Sequence, residues 1–472
     1  MDTKELFEKH GQGHVFKYWD ELGSKEQASL LEQAGEIDLG ELDELVDTFV
    51  KGSEAKEVVD FANLKPAPYE KIPEDLSEDS SWQEAKTKGE SALRDGKVAA
   101  FTVAGGQGTR LGYNGPKGTF PISPIKSKTL FQLFAEKVGA ARVLYGAEIP
   151  WFIMTSHVNH DATVSFFEEN AYFGLAEGSV KFFKQGRMAA VDFDGKIILE
   201  GKGTIAMSPD GHGGALRALE RSGAIAEMKS KGIEILSYFQ VDNPLVQVID
   251  PYFIGFHIKS GSAMSSKMLP KAYEAEKLGH FCELDGKQIV VEYSDMPEEL
   301  TALRDEEGKL KFIAGSIAIH IMDVAFIDKI ASAESSVQLP FHKAVKKIAC
   351  LNEGGETVKP SDANGIKFEM FVFDALPFAD RALVMETTRL NDFSPVKNAE
   401  GVDSPESSRA DQQKLYANWL ASKGVELEVD ESGVPVKNIE IAASFAYSSE
   451  TFDAKWAEST PDVDIAGEIY IS

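Results

Sequence analysis

From residue 98 onward, short apolar runs alternate with stretches of helical spacing. Val98–Val103 is an apolar run bounded by glycines, and runs of the same kind recur at Trp151–Thr155, Val180–Phe183, Ile233–Phe239 and Lys367–Phe373, which predicts strands. Between them, Leu130–Leu144, Ala162–Glu169 and Ala215–Lys229 carry the apolar spacing of helices. This alternation predicts an α/β domain built on a doubly wound sheet, in which ligands bind at the carboxyl ends of the strands.

The flanks read differently. Over residues 1–95 the pattern is helical and polar, with Val15, Phe16, Tyr18, Trp19 and Leu22 in one group and Leu39, Leu42, Leu45, Val46 and Phe49 in another. Lys65–Ser81, interrupted by Pro66, Pro68 and Pro73, cannot continue a helix and reads as a linker or a wrapping arm. Beyond Phe393 the alternation fades. Leu415–Leu420 has helical spacing, and Val425–Ser472 reads as short strands with turns at Ser432-Gly433 and Ala466-Gly467, a small C-terminal β unit.

Composition narrows the function. In 472 residues, 49 Lys+Arg face 76 Asp+Glu for a net charge of −27, and 43% of residues are hydrophobic. That supports a sizeable core and two or three domains, and excludes intrinsic disorder. Such acidity argues against nucleic-acid or anionic-membrane partners, so any phosphate ligand must meet a local basic cluster. Cys282 and Cys350 are the only cysteines, which excludes a disulfide framework, fits a reducing compartment, and by default makes both buried core thiols. The N-terminus lacks the apolar segment of a secretory signal, and no membrane-length apolar stretch occurs; a cytoplasmic protein is expected, with monomer and homodimer both open.

The strongest chemical signal is AGGQGTRLGYNGPKGTFPIS, residues 104–123, directly after the first strand. Its glycines let backbone N–H groups curl around an anion. It is neither of two familiar phosphate loops: G-x-G-x-x-G would need glycine where Leu111 stands, and a P-loop would need Lys between Gly and Ser/Thr, whereas Lys117 lies between Pro116 and Gly118. What remains is a glycine loop carrying Arg110 and Lys117, suited to grip a polyphosphate. At the end of Ile233–Phe239, Asp242 and Asn243 occupy a carboxyl edge where a carboxylate can hold Mg²⁺, although a lone Asp there is as often a cap or turn former. In MSPDGHGGALRAL, residues 207–219, glycines precede a helix; this is either a ligand-facing turn or a helix entry capped by Asp210 or His212. Glu292, Lys367 and Lys397 are by default surface charges, and Phe371 and Phe373 core residues of a strand.

Taken together, GQGHVFKYWDEL, AGGQGTRLGYNGPKG, SKTLFQLFAEK, PDGHGGALRAL, VDNPLVQVIDPYFIGF, VVEYSDMP, NGIKFEMFVFD and FSPVKNAEG make the chain resemble the UDP-N-acetylhexosamine pyrophosphorylase family of UTP-dependent uridylyltransferases. The resemblance implies a Rossmann-like nucleotidyltransferase core with a mixed sheet over 96–392. An N-terminal helical segment over 1–95 and a small C-terminal β-rich domain over 393–472 flank it. Position by position, it implies nucleotide contacts at Ala104, Gly105, Gly106, Gln185 and Gly211, with Arg110, Lys117 and Lys397 on the phosphates and Asp242 as the Mg²⁺ ligand. His212, Gly279, Glu292, Ser316, Phe371 and Phe373 fall at sugar-contacting positions, the two phenylalanines as the wall for the N-acetyl group. UTP and N-acetylglucosamine 1-phosphate are the implied substrates, with glucose or galactose 1-phosphate, or a non-catalytic UDP-sugar sensor, as alternatives. The chain departs from the family pattern in two places. Gly315-Ser316-Ile317-Ala318-Ile319-His320 stands where G-N-I-A-N-H is usual, and His212 replaces an asparagine. Both departures lie on the hexose side, so the nucleotide side matches more fully.

Overall fold

The computed structural model of the chain describes residues 2–52, 60–332, 338–459, 463 and 467–472. Ala466, at one expected turn, lies outside the described residues. The chain divides into two compact units, neither continuous in sequence: Met1–Phe61, Gln185–Arg217 and Gln338–Asp374 form the smaller, and Ala62–Lys184, Ala218–Val337 and Ala375–Ser472 the larger.

The larger unit is built on a 10-stranded mixed sheet. Its strands, in chain order, are β1 (Lys65–Pro66), β2 (Val98–Val103), β3 (Trp151–Thr155), β4 (Val180–Lys184), β5 (Ile235–Gln240), β6 (Met264–Pro270), β7 (Gly279–Leu284), β8 (Lys287–Val291), β9 (Ala314–Asp323) and β10 (Ala382–Glu386). β5, β2, β3 and β4 run parallel in that spatial order. β9 joins this block antiparallel along β5. The parallel strands read as continuous apolar runs because both faces are covered: every residue of Trp151–Thr155 is buried. Helices α1 (Ser80–Arg94), α2 (Leu130–Tyr145), α3 (His160–Glu169) and α4 (Pro251–Ser260) belong to this unit. α1 and α4 pack in close approach, since a Cβ on Gly255 would lie 1.6 Å from the Ala85 carbonyl oxygen. The expected arm is real: Lys65–Pro66 pairs with Glu283 and Cys282, adding a strand to the sheet.

One edge of β9 is shared. His320 pairs with Tyr238 of β5, while Gly315 and Ser316 pair with His280 and Gly279 of β7. Between them Ala318 takes a left-handed φ of 56°, and the register with β6 slips, a β-bulge of the kind that re-aims side chains near sites.

The smaller unit has its own core, in which Phe7, Val15, Leu30, Leu42 and Val46 meet Val191, Ile197, Ile366 and Phe368. Gln12 fixes the N-terminal stretch: its side chain donates to the Gly195 carbonyl at 2.9 Å and accepts from Ile197 N–H at 3.0 Å.

Several local expectations are corrected. The Val15–Leu22 group forms two short 3-10 turns, Gly13–Phe16 and Trp19–Glu21, which bring the same residues to one side without a continuous helix. Ala215–Lys229 is two helices, Gly214–Arg221 and Ala224–Ser230, broken where Gly223 takes φ 78°. The strand expected over Lys367–Phe373 spans Gly365–Met370, because its partner begins at Phe341, opposite Met370, and leaves Phe371 nothing to pair with. Cys282 is buried as expected and burial pushes its thiol up to about 12, but Cys350 is only half-buried. In the C-terminal segment, α5 (Pro405–Ala421) contains the expected helix. Ile439–Ile441 and Ile469–Ile471 pair as short parallel strands, and Ser449–Ser459 is a helix where only strands were expected.

Candidate active site

In the larger unit, β2 delivers the glycine loop at the carboxyl edge of the sheet. Ala104 is still in register, its N–H donating to the Met154 carbonyl at 2.7 Å. The loop then folds on itself: Gly108 N–H donates to Gly115 O at 2.9 Å and Lys117 N–H to Gly106 O at 3.0 Å. The N–H groups of Gly105, Gly106 and Gln107 find no protein acceptor among the described residues. Arg110 is exposed on the short turn Thr109–Leu111 within this loop.

β5 delivers Asp242 beside it. Lys117 Nζ lies 3.7 Å from Asp242 Oδ2, with both side chains mostly withdrawn from solvent. Val396 N–H donates to the Asp242 carbonyl at 2.8 Å, and Asn243 bridges Asp392 O and Ser394 N–H at 2.6 and 3.0 Å. These bonds tie the segment leading to exposed Lys397 alongside the Asp242 turn. The Lys397 and Asn398 N–H groups both donate to the Asp403 carbonyl. Burial raises the Asp403 carboxyl above its ordinary range, against the opposing pull of Lys397 and Arg389.

Two buried lysines brace the same turn. Lys137 of α2 donates to Pro244 O at 2.6 Å and Val246 O at 2.8 Å, and burial lowers its ammonium to about 7. Lys267 of β6, 1% exposed, sits between Asp250 Oδ2 at 2.7 Å and Asp392 Oδ2 at 2.6 Å. Burial works to lower its pKa, but the two carboxylates outweigh it and hold the group above its ordinary value.

The same sheet edge carries three of the residues expected at sugar-contacting positions. Gly279 and Ser316 are direct register partners, just past the end of β5. Glu292 stands next to them: a Cβ on Gly279 would lie 3.4 Å from its Oε1. His280, fully buried, accepts from Lys271 Nζ at 2.7 Å, and burial together with that cation lowers the imidazole to about 4.

The smaller unit gathers the remaining residues. Gln185 Nε2 donates to Gly211 O at 2.7 Å and to Asp210 Oδ1 at 3.1 Å. Position 211 admits only glycine, since φ is 83° and a Cβ would lie 2.3 Å from the Met370 carbonyl oxygen. His212 stacks on Phe371 with centroids 5.3 Å apart, and His342 stacks on Phe371 at 4.5 Å; Phe373 is 5.7 Å from His212. Val372 N–H donates to His212 Nδ1 at 3.1 Å, which leaves the proton on Nε2. Burial, reinforced by His342, lowers His212 to about 4, so the ring is neutral near pH 7.

The residues singled out in the sequence thus fall into two clusters, one in each unit. One joins a row of backbone donors without an acceptor among the described residues, Lys117, Lys397 and a carboxylate, which is chemistry for a metal-bound polyphosphate. The other joins an amide, a tight glycine turn and stacked rings, which is chemistry for a planar base and an apolar substituent. Among the described residues no three His, Cys, Asp or Glu side chains gather as a metal-binding group. A single edge carboxylate nevertheless fits Mg²⁺, which takes one or two carboxylates and completes its shell with phosphate oxygens and water.

The comparisons decide between the chemical classes this geometry admits. A family model described as UTP--glucose-1-phosphate uridylyltransferase matches residues 40–419. The UDP-N-acetylglucosamine pyrophosphorylase of Saccharomyces cerevisiae is 34% identical over 469 residues, covering 95% of this chain and 96% of that one. The chain belongs to the UDP-N-acetylhexosamine pyrophosphorylase family of uridylyltransferases. Another family member, the UDP-N-acetylhexosamine pyrophosphorylase-like protein 1 of Xenopus tropicalis, is 36% identical over 98% of this chain and 91% of its own. The solved UDP-N-acetylglucosamine pyrophosphorylase of Trypanosoma brucei, in complex with an inhibitor, superposes with a TM-score of 0.82 at 25% identity, covering 100% of this chain and 98% of that one. Family membership makes the chain a uridylyltransferase with a nucleotidyltransferase fold. No helix among the described residues is long and apolar enough to cross a membrane.

Sequence reasoning missed Asn159, Lys137 and Asp403, and noted Asn243 without assigning it a role. Lys137 and Asn159 act on loops far away in sequence, so no local motif marks them.

Proposed function

We propose that the protein transfers a uridylyl group from UTP to N-acetylglucosamine 1-phosphate, releasing pyrophosphate. The observation that carries this reading is the apposition of Lys117 to Asp242 beside the N–H groups of Gly105–Gln107, which find no acceptor among the described residues, with Lys397 tethered alongside through Val396.

A phosphate oxygen of the sugar 1-phosphate attacks the α-phosphorus of UTP in line. The new P–O bond forms as the bond to the β-phosphate oxygen breaks, and pyrophosphate leaves with that electron pair. No proton need be removed from an ionised phosphate oxygen, so the protein's task is positioning and charge neutralisation. Arg110 and Lys117 face the leaving pyrophosphate, and Lys397 the attacking phosphate. The family resemblance assigns Gln185 and Gly211 to the uracil. It likewise assigns Gly279, Glu292 and Ser316 to the sugar hydroxyls, His212 to the sugar, and Phe371 and Phe373 to the acetamide. Asp242 would hold Mg²⁺, which would supply further neutralisation of phosphate charge.

A second reading, transfer to glucose or galactose 1-phosphate, is favoured by the short reach of Ser316 opposite Gly279. The test is pyrophosphate release from UTP and Mg²⁺ with N-acetylglucosamine, N-acetylgalactosamine, glucose and galactose 1-phosphates offered side by side. Preference for an N-acetylated sugar supports the first reading, and preference for glucose or galactose the second. UTP binding without release from any sugar would leave a sensor.

A further inference from the structure

We infer that Asn159 is a positioning residue that sets which way the glycine loop presents its anion-binding face. Asn159 is fully buried and stands at the N-cap of α3, where an asparagine side chain ordinarily bonds the first free N–H groups of its helix. Here it makes no such cap bond. Its Nδ2 donates instead to the Ala104 carbonyl at 2.9 Å and the Gly106 carbonyl at 3.2 Å. Its Oδ1 accepts from Ser156 N–H at 2.8 Å and Ser156 Oγ at 3.0 Å. The amide's orientation follows from chemistry, since Ser156 N–H can only donate and the two loop carbonyls can only accept.

The consequence lies in peptide geometry. In a trans peptide the C=O and the following N–H point in opposite directions. Holding the Ala104 carbonyl toward Asn159 therefore turns Gly105 N–H away from it, and holding the Gly106 carbonyl does the same for Gln107 N–H. These are two of the three N–H groups that find no protein acceptor among the described residues. Asn159 thus holds two carbonyls from one side chain, sharing the Gly106 carbonyl with Lys117 N–H, and keeps the following donors facing outward before any ligand arrives. Without it, the Ala104–Gly105 peptide could rotate its carbonyl outward, which would set an oxygen against a phosphate, while the Gly106 carbonyl would keep only its bond from Lys117 N–H. The inference rests on the reading of this loop as the UTP-phosphate site.

The test uses the full chain with Asn159→Asp and Asn159→Ala. Asp keeps the acceptor for Ser156 and loses both donors, so it isolates the proposed role. UTP binding by calorimetry, KM for UTP and for the sugar 1-phosphate, and melting temperature are measured for each. The expected result is a loss of UTP affinity of about ten-fold or more, with the sugar-phosphate KM little changed and the fold intact. Affinity in Asn159→Asp should also recover toward low pH, where the protonated carboxyl again donates to one carbonyl. Unchanged UTP affinity overturns the proposal, and so does a parallel weakening of both substrates in step with melting temperature, which marks a merely structural role. A wild type that binds UTP but turns nothing over would sink the transferase reading and leave this one to the calorimetry. A wild type that does not bind UTP sinks both. Should the variants fail to fold, amide exchange on the wild type decides: saturating UTP should slow exchange at Gly105 and Gln107, and no change there overturns the proposal.

Discussion

Lys117 Nζ and Asp242 Oδ2 lie 3.7 Å apart on the loops that follow two neighbouring parallel strands, both side chains mostly shielded from bulk water. Each charge offsets the burial of the other, so removing one leaves the other uncompensated. Asp242→Asn should cut the Mg²⁺-dependent rate by about a hundred-fold or more, and Lys117→Ala should cost on the order of 2–4 kcal/mol in kcat/KM. Steady-state kinetics against Mg²⁺ concentration check both; near-wild-type turnover of either variant removes that residue from the chemistry.

Two buried neutral histidines make the fold sensitive to acid. His212 and His280 are both lowered from 6.5 to about 4. A group with a depressed folded pKa contributes stability that is fully present above its unfolded value and is lost as pH falls through the folded one. Stability should therefore decline between about pH 6.5 and 4, by roughly 3 kcal/mol for each ring. Urea unfolding at stepped pH measures this, and His280→Gln should flatten part of the slope. An unchanged slope would show that His280 is not held neutral.

Lys137 gives the opposite end of the scale. Its ammonium, ordinarily near 10.5, is held at about 7 by burial. Between those values the unfolded chain binds a proton that the folded one does not, so this residue makes stability rise with pH across that window. Lys137→Met should remove that rise, at the cost of leaving the Pro244 and Val246 carbonyls without their donor. The comparison is unfolding free energy at about pH 7 and 9 for both proteins.

Phe371, stacked between His212 and His342, and Phe373 beside His212 give a sharper test of sugar choice. If they wall the acetamide, Phe371→Ala or Phe373→Ala should lower kcat/KM for N-acetylated sugar phosphates by roughly 1–3 kcal/mol more than for glucose 1-phosphate. Equal losses on both substrates would dismiss the assignment.

What the sequence made legible was local. Val98–Val103 and Trp151–Thr155 coincide with strands because a fully buried parallel strand is written as an unbroken apolar run. The glycine loop and Asp242 could be placed because chemistry follows strand ends in such sheets. The misses have physical causes. The end of Gly365–Met370 is set by where a partner strand begins, which its own residues do not encode. Ser449–Ser459 lacks a marked apolar stripe, with only Phe452 buried. Asn159 carries no local signal, because its bonds run to a loop more than fifty residues earlier. The pairing of Gly279 with Ser316 depends on one edge of β9 passing from one neighbour to another, a property of register rather than of composition.

The interleaved make-up of the smaller unit sets a timetable for synthesis. Its first segment ends at Phe61, its second opens at Gln185, and its last closes only at Asp374. As the chain leaves the ribosome, Phe7, Val15 and Leu30 must wait, unburied, for Val191 and then for Ile366 and Phe368 to appear. Contacts so distant along the chain form slowly and leave apolar side chains open to chaperones or to aggregation in the meantime. A cell producing this protein at high level would feel that delay at the nascent N-terminus, long before any substrate is met.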